Sequence, residues 1–231
     1  MLKSLYYTPY CCVCGESVTP PLPEHLICRA CLASLPFRMD REQLHWDKPW
    51  ASYASFFYRE PIKTMIVSIK FAGRTDRAEA IGRWMARTVR RHKISADAVV
   101  PVPLHQNRLL ERGFNQSEIL ASALAERLHC PAVEALLSRS IDTPRQSEAE
   151  SADERRRHLK GAFTVNTKNS VFKALHGRSV LLVDDVMTTG STLSSAASAL
   201  HRVGIHAICI AVASGHDRYI GYRESLAKWH R

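Results

Sequence analysis

The sequence predicts an α/β protein in which a parallel sheet is flanked by helices, with a small cysteine-rich segment at the amino terminus. One observation is a strand, helix, strand pattern: an apolar run at residues 180–183, an amphipathic helix, and a second apolar run at 205–213. Units of this kind form neighbouring parallel strands. The other observation is a set of four early cysteines arranged as two Cys-x-x-Cys pairs.

The composition predicts a folded protein with anionic partners. The chain has 231 residues, enough for one sizeable domain and a small appendage, and 45% of them are hydrophobic. Its 32 Lys and Arg exceed its 22 Asp and Glu and give a formal net charge of +10. This excess indicates nucleic acid or polyphosphate as a partner, and charge alone does not choose between them.

The chain contains no apolar stretch long enough to cross a membrane, and its start lacks the apolar core of a signal peptide. We therefore expect no membrane insertion and a cytoplasmic location. In that compartment the seven cysteines are expected to be metal ligands or buried thiols, because disulfides do not persist there.

The two cysteine pairs have the spacing of a zinc ribbon. Cys11 and Cys14 form the first pair, and Cys28 and Cys31 form the second. Four thiolates at this spacing can close on one tetrahedral, structural Zn²⁺; the alternative is a set of scattered free cysteines. Cys12 is left as a spare thiol. We predict that residues 1–45 form the ribbon and a connection, and that residues 46–231 form the main domain.

The first part of the main domain reads as a strand at residues 50–58 followed by two amphipathic helices. The apolar positions of the two helices are Ile62, Met65, Ile66 and Ile69, and then Ile81, Trp84, Met85 and Val89. The second helix carries five arginines on its other side, which favour either a solvated face or a nucleic-acid surface.

The residues after the apolar run at 180–183 have the chemistry of a sugar-phosphate site. Asp184 and Asp185 are adjacent, and the turn that follows is Thr-Thr-Gly-Ser-Thr at 188–192. Backbone N–H groups at a helix start, together with hydroxyls, suit a phosphate. The carboxylates suit the vicinal hydroxyls of a ribose, directly or through Mg²⁺. The alternative is an ordinary polar helix cap, which needs only one hydroxyl.

Two further segments complete the predicted domain. A short strand at 98–103 leads into a loop, Leu104 to Gly113, whose backbone and cations could hold pyrophosphate. His105 in this loop is equally well explained as a surface histidine. The charged segment from Arg139 to Gly161 predicts a mobile loop or, alternatively, a surface insertion.

The order of these motifs resembles the ComF family: a cysteine ribbon, IKFAG, VPVPL followed by RGFNQ, RQSEA followed by RRRHLKGAF, and LLVDDVMTTGSTL. The last motif is similar to the phosphoribosyl pyrophosphate (PRPP) loop of type I phosphoribosyltransferases. The resemblance implies a phosphoribosyltransferase-like fold with a zinc-binding amino-terminal segment. It also implies PRPP and Mg²⁺ as ligands.

The resemblance carries roles onto individual residues. The catalytic positions it implies are Asp184 and Asp185. The PRPP-binding positions are Asp184, Asp185, Val186, Met187, Thr188, Thr189, Gly190, Ser191 and Thr192. The pyrophosphate loop comprises Pro103, Leu104, His105, Arg108 and Arg112. A flexible loop that closes over the ligand would use Arg145, Gln146 and Arg155.

For function, the resemblance implies a competence protein that handles incoming single-stranded DNA, with PRPP as ligand or regulator and competence-machinery proteins as partners. The alternative is a true phosphoribosyltransferase that acts on a nitrogenous acceptor. A third interpretation is a fold that only holds partners together. Whether the protein is an enzyme stays open at this point.

Overall fold

The computed structural model describes residues 9–18, 27–38, 50–141 and 161–215. Its elements are α1 Arg29–Ser34, β1 Ser52–Phe57, α2 Ile62–Ala72, α3 Thr75–Arg91, β2 Ala98–Pro101, α4 Gln106–Arg112, α5 Gln116–Leu128, β3 Leu137–Arg139, β4 Phe163–Val165, α6 Phe172–Leu175, β5 Ser179–Met187, α7 Ser191–Arg202 and β6 His206–Ser214. Over these described ranges, no helix is both long and apolar enough to cross a bilayer.

Four parallel strands form the main sheet in the order β1-β6-β5-β2. Side chains alternate along β5, so that Leu181 and Val183 join the core beneath α2, α3 and α5. Val180 and Leu182 join the core on the opposite face, beneath α7. Helices thus cover both faces of a parallel sheet, which confirms the predicted fold class.

The central strand β5 extends beyond the apolar run that predicted it. Asp184 pairs with Ala211, and Met187 pairs with Ser214, because β6 continues alongside. The two acids therefore belong to the strand rather than to the turn. Gly204 follows α7 with a φ of 76°, as expected for a residue that ends a helix.

The predicted loop from Leu104 to Gly113 contains a short helix, α4. The imidazole Nδ1 of His105 accepts a hydrogen bond from the Asn107 N–H at 3.3 Å and caps the helix start. Gly113 ends the helix in the left-handed region at a φ of 76°. Local capping therefore turns part of the expected loop into a helix.

Strands β3 and β4 pair antiparallel and form a second, two-stranded sheet. The segment between them contains residues 142–160, which lie outside the described residues. Arg145, Gln146 and Arg155, the predicted flexible-loop residues, fall in that segment, so their role stays a prediction.

The cysteine-rich segment packs directly on the main domain. Cys11, Cys12 and Leu35 are buried in the same core as α2 and α3. Residues 36–38 then lie antiparallel to β1: the Phe57 N–H donates to the Pro36 carbonyl at 2.8 Å, an edge contact that extends the sheet. Residues 39–49 lie outside the described ranges, and the predicted boundary between residues 45 and 46 stays a prediction.

Helices α3 and α5 approach closely at Gly82. A Cβ atom at this position would lie 2.6 Å from the Ala123 Cβ. We expect Gly82→Ala to lower the free energy of unfolding by about 1–2 kcal/mol, because the steric cost exceeds the gain in helix propensity. Urea unfolding measures this change. Adding Ala123→Gly should recover part of the loss, and a single variant as stable as the parent would contradict the close contact.

Candidate functional site

The two carboxylates at the end of β5 are held by groups from α2 and α5. The Asp185 side chain is largely buried, and Lys70 Nζ lies 2.5 Å from its Oδ2. Gln116 Nε2 donates to the same oxygen at 3.4 Å. Ser117 Oγ donates to Asp184 Oδ1 at 3.3 Å. The acid pair is therefore fixed by one cation, one amide and one hydroxyl.

Two helix ends bring these partners to the acids. Lys70 lies in the last turn of α2, which ends at Gly73 in the left-handed conformation. Gln116 and Ser117 open α5, where the Asn115 Oδ1 accepts from the Ser117 N–H at 3.1 Å. The Asn115 Nδ2 also donates to the Val102 carbonyl at 3.2 Å and ties α5 to the end of β2.

Sequence reasoning assigned Lys70, Gln116 and Ser117 no role in the site. Both segments were visible in the sequence as the motifs IKFAG and RGFNQ. What the sequence does not show is that the ends of α2 and α5 meet the end of β5, since this depends on how the helices pack. The motif order was therefore the only sequence signal for Lys70 and Gln116, and Ser117 directly follows the second motif.

The Asp184 carboxyl is shifted toward its protonated form. Burial raises its pKa to about 7, and the adjacent Asp185 charge adds to the shift. The Asp185 N–H, which donates to Asp184 Oδ1 at 2.9 Å, opposes it. Burial and the short distance between the two carboxyl groups thus make it unfavourable for both to be ionised at once.

This shift predicts a pH dependence of stability. The folded pKa lies above the unfolded value of 3.8, so the contribution of Asp184 is fully present below that value and is lost as the pH rises through about 7. We expect Asp184→Asn, which cannot ionise, to gain stability relative to the parent between pH 5 and pH 8. The gain is about 1–2 kcal/mol after allowance for solvent screening.

Thermal unfolding of the Asp184→Asn variant and the parent across this pH range measures the difference. The gap between the two melting temperatures should widen by roughly 3–6 °C toward pH 8 for a chain of this size. Parallel curves for the two proteins would show that Asp184 titrates normally.

The turn after β5 leads directly into α7. Gly190 adopts the left-handed conformation at a φ of 70° and occupies the N-cap position. The Thr189 and Ser191 hydroxyls lie 2.7 Å apart, and the Ser191 N–H donates to Thr189 Oγ1 at 3.4 Å. Thr189 thus accepts from the first N–H of α7, while the N-cap residue Gly190 has no side chain that could cap the helix. The first N–H groups of a helix have no intrahelical partner and can face an anion.

The nine predicted PRPP-binding residues differ in the groups that they could offer to a ligand. Met187 is 1% exposed and belongs to the core beneath α7, so it can offer only backbone groups. Val186 uses its N–H to donate to Asp185 Oδ1 at 2.6 Å. Thr188, Thr189, Gly190 and Thr192 are partly exposed, and Ser191 is buried.

The predicted pyrophosphate loop starts beside the acids. The Val102 N–H donates to the Val183 carbonyl at 2.9 Å, which places Pro103 and Leu104 next to the end of β5. His105 instead caps α4. Arg112, at the end of α4, donates from Nη1 to Gln116 Oε1 at 3.0 Å and is thereby linked to Asp185.

Arg108 lies one turn before Arg112 in α4 and is partly buried. Residues four apart share a helix face, so the two guanidinium groups belong to the same side of α4. We call this side the basic face of α4; Arg112 connects it to the acid pair through Gln116.

The four predicted zinc ligands come together. The Sγ atoms of four cysteines all lie within 4.8 Å of one another: Cys11, Cys14, Cys28 and Cys31. The Cys14 and Cys28 sulfurs are 3.9 Å apart; two thiolates on one tetrahedral Zn²⁺ are about 3.8 Å apart. The donor set and the spacing fit Zn²⁺.

Position separates the spare thiol from the four ligands. Cys12 lies outside the cluster, and burial raises its pKa to about 12. The structure therefore supports the choice of Cys11 over Cys12.

Comparisons with known proteins identify the family of this chain. The phosphoribosyl transferase domain family matches residues 75–231. The DNA utilization protein YhgH of Escherichia coli K12 is 32% identical over 202 residues, which cover 85% of this chain and 81% of that protein. Competence protein F of Haemophilus influenzae is 31% identical over 211 residues, covering 89% and 84%. Among solved structures, adenine phosphoribosyltransferase from Leishmania donovani aligns with a TM-score of 0.40 and 16% identity, over 71% of this chain and 61% of that one.

The domain match and the parallel sheet define a protein of the phosphoribosyl transferase class. The chain belongs to the ComF family of that class, with relatives at about 30% identity over most of its length.

Proposed function

We propose that the protein is a ComF-type PRPP-binding protein that uses Mg²⁺ and handles single-stranded DNA during natural competence. The observation that carries the PRPP part is the fixed pair Asp184 and Asp185 at the carboxyl end of a central strand, immediately before a helix start. In open parallel sheets this edge is where ligands bind.

We assign each part of PRPP to one part of the site. The ribose hydroxyls would bind the acid pair, and the 5′-phosphate would bind the turn at 188–192 and the start of α7. The pyrophosphate would bind near residues 103–105 and the basic face of α4. Mg²⁺ prefers carboxylate and phosphate oxygens, which the acids and the ligand supply together. Residues 145, 146 and 155 would close over the ligand.

Thermal unfolding with parts of the ligand tests this assignment. We expect PRPP with Mg²⁺ to raise the melting temperature more than ribose 5-phosphate or pyrophosphate does alone, because only PRPP occupies both halves of the site. If pyrophosphate raised the melting temperature as much as PRPP does, the acid pair and the turn would not be part of the binding site. Replacing Gly190 with Val, which disfavours its left-handed φ of 70°, should abolish the ribose 5-phosphate shift.

The DNA part of the proposal is supported by the names of two relatives, DNA utilization protein and competence protein F, and by the net charge of +10. Binding of a single-stranded oligonucleotide, measured by fluorescence anisotropy, should weaken steeply with salt as counterions are released. No binding at low salt would contradict it. A cytoplasmic location and contacts with competence-machinery proteins belong to the same proposal.

A transfer reaction is the second candidate, favoured by the link from Arg112 through Gln116 to Asp185. A pyrophosphate bound beside this link would gain negative charge close to the Arg112 guanidinium as it leaves. In the reaction the bond from C1 of the ribose to pyrophosphate breaks, a nitrogen of the acceptor bonds to C1, and that nitrogen loses its proton to solvent. Pyrophosphate release that depends on an added nitrogenous acceptor would support transfer, and release without acceptor would indicate hydrolysis.

A further inference from the structure

The last turn of α2 places an exposed aromatic ring at the rim of the candidate site. Phe71 is 72% exposed, the highest value for an aromatic side chain in the described part of the chain. The residue before it, Lys70, contacts Asp185. The core of the domain gives no reason for an apolar ring at this position, since Ile66 and Ile69 already fill the buried face of the helix.

A cation lies over this ring and connects it to the acid pair. The Arg112 guanidinium carbon is 5.6 Å from the Phe71 ring centroid, a cation–π distance. The same guanidinium donates to Gln116 Oε1 at 3.0 Å, and Gln116 donates to Asp185. Gln116 therefore holds the stacked arginine with one end of its amide and the acid with the other.

Each of the two helices carries a further exposed apolar side chain one turn before these residues. Val67 precedes Phe71 by one turn of α2, and Leu109 precedes Arg112 by one turn of α4. Val67, Phe71, Leu109 and Leu110 are four of the six large hydrophobic side chains that are exposed in the described ranges. We call the contacting pair Phe71 and Arg112, together with Val67 and Leu109 one turn before them, the rim surface. It combines an aromatic face with positive charge.

The arginines of α3, the other candidate nucleic-acid surface, are engaged within the protein. Arg77 donates to the Cys12 carbonyl at 2.7 Å, and Arg83 pairs with Glu79 at 2.6 Å. Arg87 lies 5.2 Å from the Trp84 ring centroid. The one aromatic side chain of α3, Trp84, is buried, so this helix offers cations but no exposed ring on which a base could stack.

We infer that Phe71 and Arg112 stack an unpaired base of single-stranded DNA directly beside the PRPP site. Every base offers a π face to an aromatic ring, and a guanidinium adds a cation–π contact, so the surface needs no particular sequence. The inference rests on the DNA part of the proposed function and identifies where on the protein a base is held.

The test compares two oligonucleotides of equal charge. One is a single-stranded oligothymidylate about 12 nucleotides long, and the other has the same backbone without bases. Fluorescence anisotropy at low salt measures the affinity of the parent, Phe71→Leu and Phe71→Tyr for both. The leucine retains apolar bulk without a ring, and the tyrosine retains the ring.

We expect the parent and Phe71→Tyr to bind the base-containing strand roughly 5- to 100-fold more tightly than the abasic strand, the range of stacking on one aromatic residue. Phe71→Leu should lose most of this preference and bind the abasic strand as the parent does. Because the ring is 72% exposed, the melting temperature of Phe71→Leu should match that of the parent.

Two results would overturn the inference alone: a parent that binds both strands equally, or a Phe71→Leu variant that keeps the full preference. A parent that binds neither strand would overturn this inference and the DNA part of the proposed function together. PRPP binding is measured separately, so its failure is distinguishable from both.

Discussion

Removal of the metal ion from the zinc-loaded protein is expected to lower the melting temperature by roughly 6–12 °C. The reason is that the ribbon shares a core with the main domain: Cys11, Val18 and Ile27 are buried in the same cluster as α2 and α3. Zn²⁺ contributes about 10–16 kcal/mol to folding in isolated zinc-finger peptides. Even a loss of about 3 kcal/mol here would produce the expected shift for a chain of this size.

Cys14→Ser separates metal loss from packing loss. Cys14 is an exposed member of the cluster, so its replacement changes little apart from metal coordination. We expect this variant to lose its zinc, measured by elemental analysis, and to melt like the chelated protein. Cys12→Ala is the matched control, because Cys12 is buried beside the cluster but is not part of it. This control should keep one zinc per chain; an unchanged melting temperature for Cys14→Ser would contradict a structural metal.

Replacing Lys70 is expected to destabilise the protein through Asp185. Lys70→Met would leave the largely buried carboxylate without its cation, while the adjacent Asp184 remains. Loss of one partner of a buried pair costs about 3–5 kcal/mol. Because the Lys70 side chain is 22% exposed, we expect a smaller loss of about 2 kcal/mol in urea unfolding at pH 8.

Two controls test the charge explanation. Lys70→Arg keeps the cation and should restore most of the stability. Lys63→Met removes an exposed lysine from the same helix and should cost less than about 0.5 kcal/mol. We also expect Mg²⁺ to stabilise Lys70→Met more than the parent, since the ion would replace the lost positive charge. Equal costs for Lys63→Met and Lys70→Met would rule out the ion pair as the cause.

The parts of the fold with a strong local pattern were predictable from the sequence. The strands around α7 have continuous apolar runs, and α2 and α3 bury the apolar residues that their spacing indicated. The cysteine spacing likewise identified the four thiols that cluster. In each case, neighbours in the sequence determine the arrangement.

The short elements were not predictable because they lack a pattern. Helix α4 has seven residues and buries none of them, so it has no apolar face to detect. Strands β3 and β4 have three residues each, too few to show alternation. The cap made by His105 is equally invisible, since an imidazole seldom takes this role.

Only those site residues that are neighbours in the sequence were predictable. Asp184 and Asp185 stand in one motif with the turn, whereas Lys70 and Gln116 reach the acids from other elements. Their positions depend on helix packing, which no local pattern encodes. For Phe71 the helical spacing already indicates a position off the buried face of α2, but its contact with Arg112 depends on how α2 and α4 pack.

The central claim is that the acid pair and the turn after β5 bind PRPP with Mg²⁺. Calorimetric titration of the zinc-loaded parent, Asp184→Asn and Asp185→Asn with PRPP in the presence of Mg²⁺ tests it most directly. We predict that the parent binds and that each variant loses at least about 10-fold in affinity, because a hydrogen bond to a charged group contributes about 1.5–3 kcal/mol. A parent that shows no binding at millimolar PRPP, or variants that bind as the parent does, would contradict the claim.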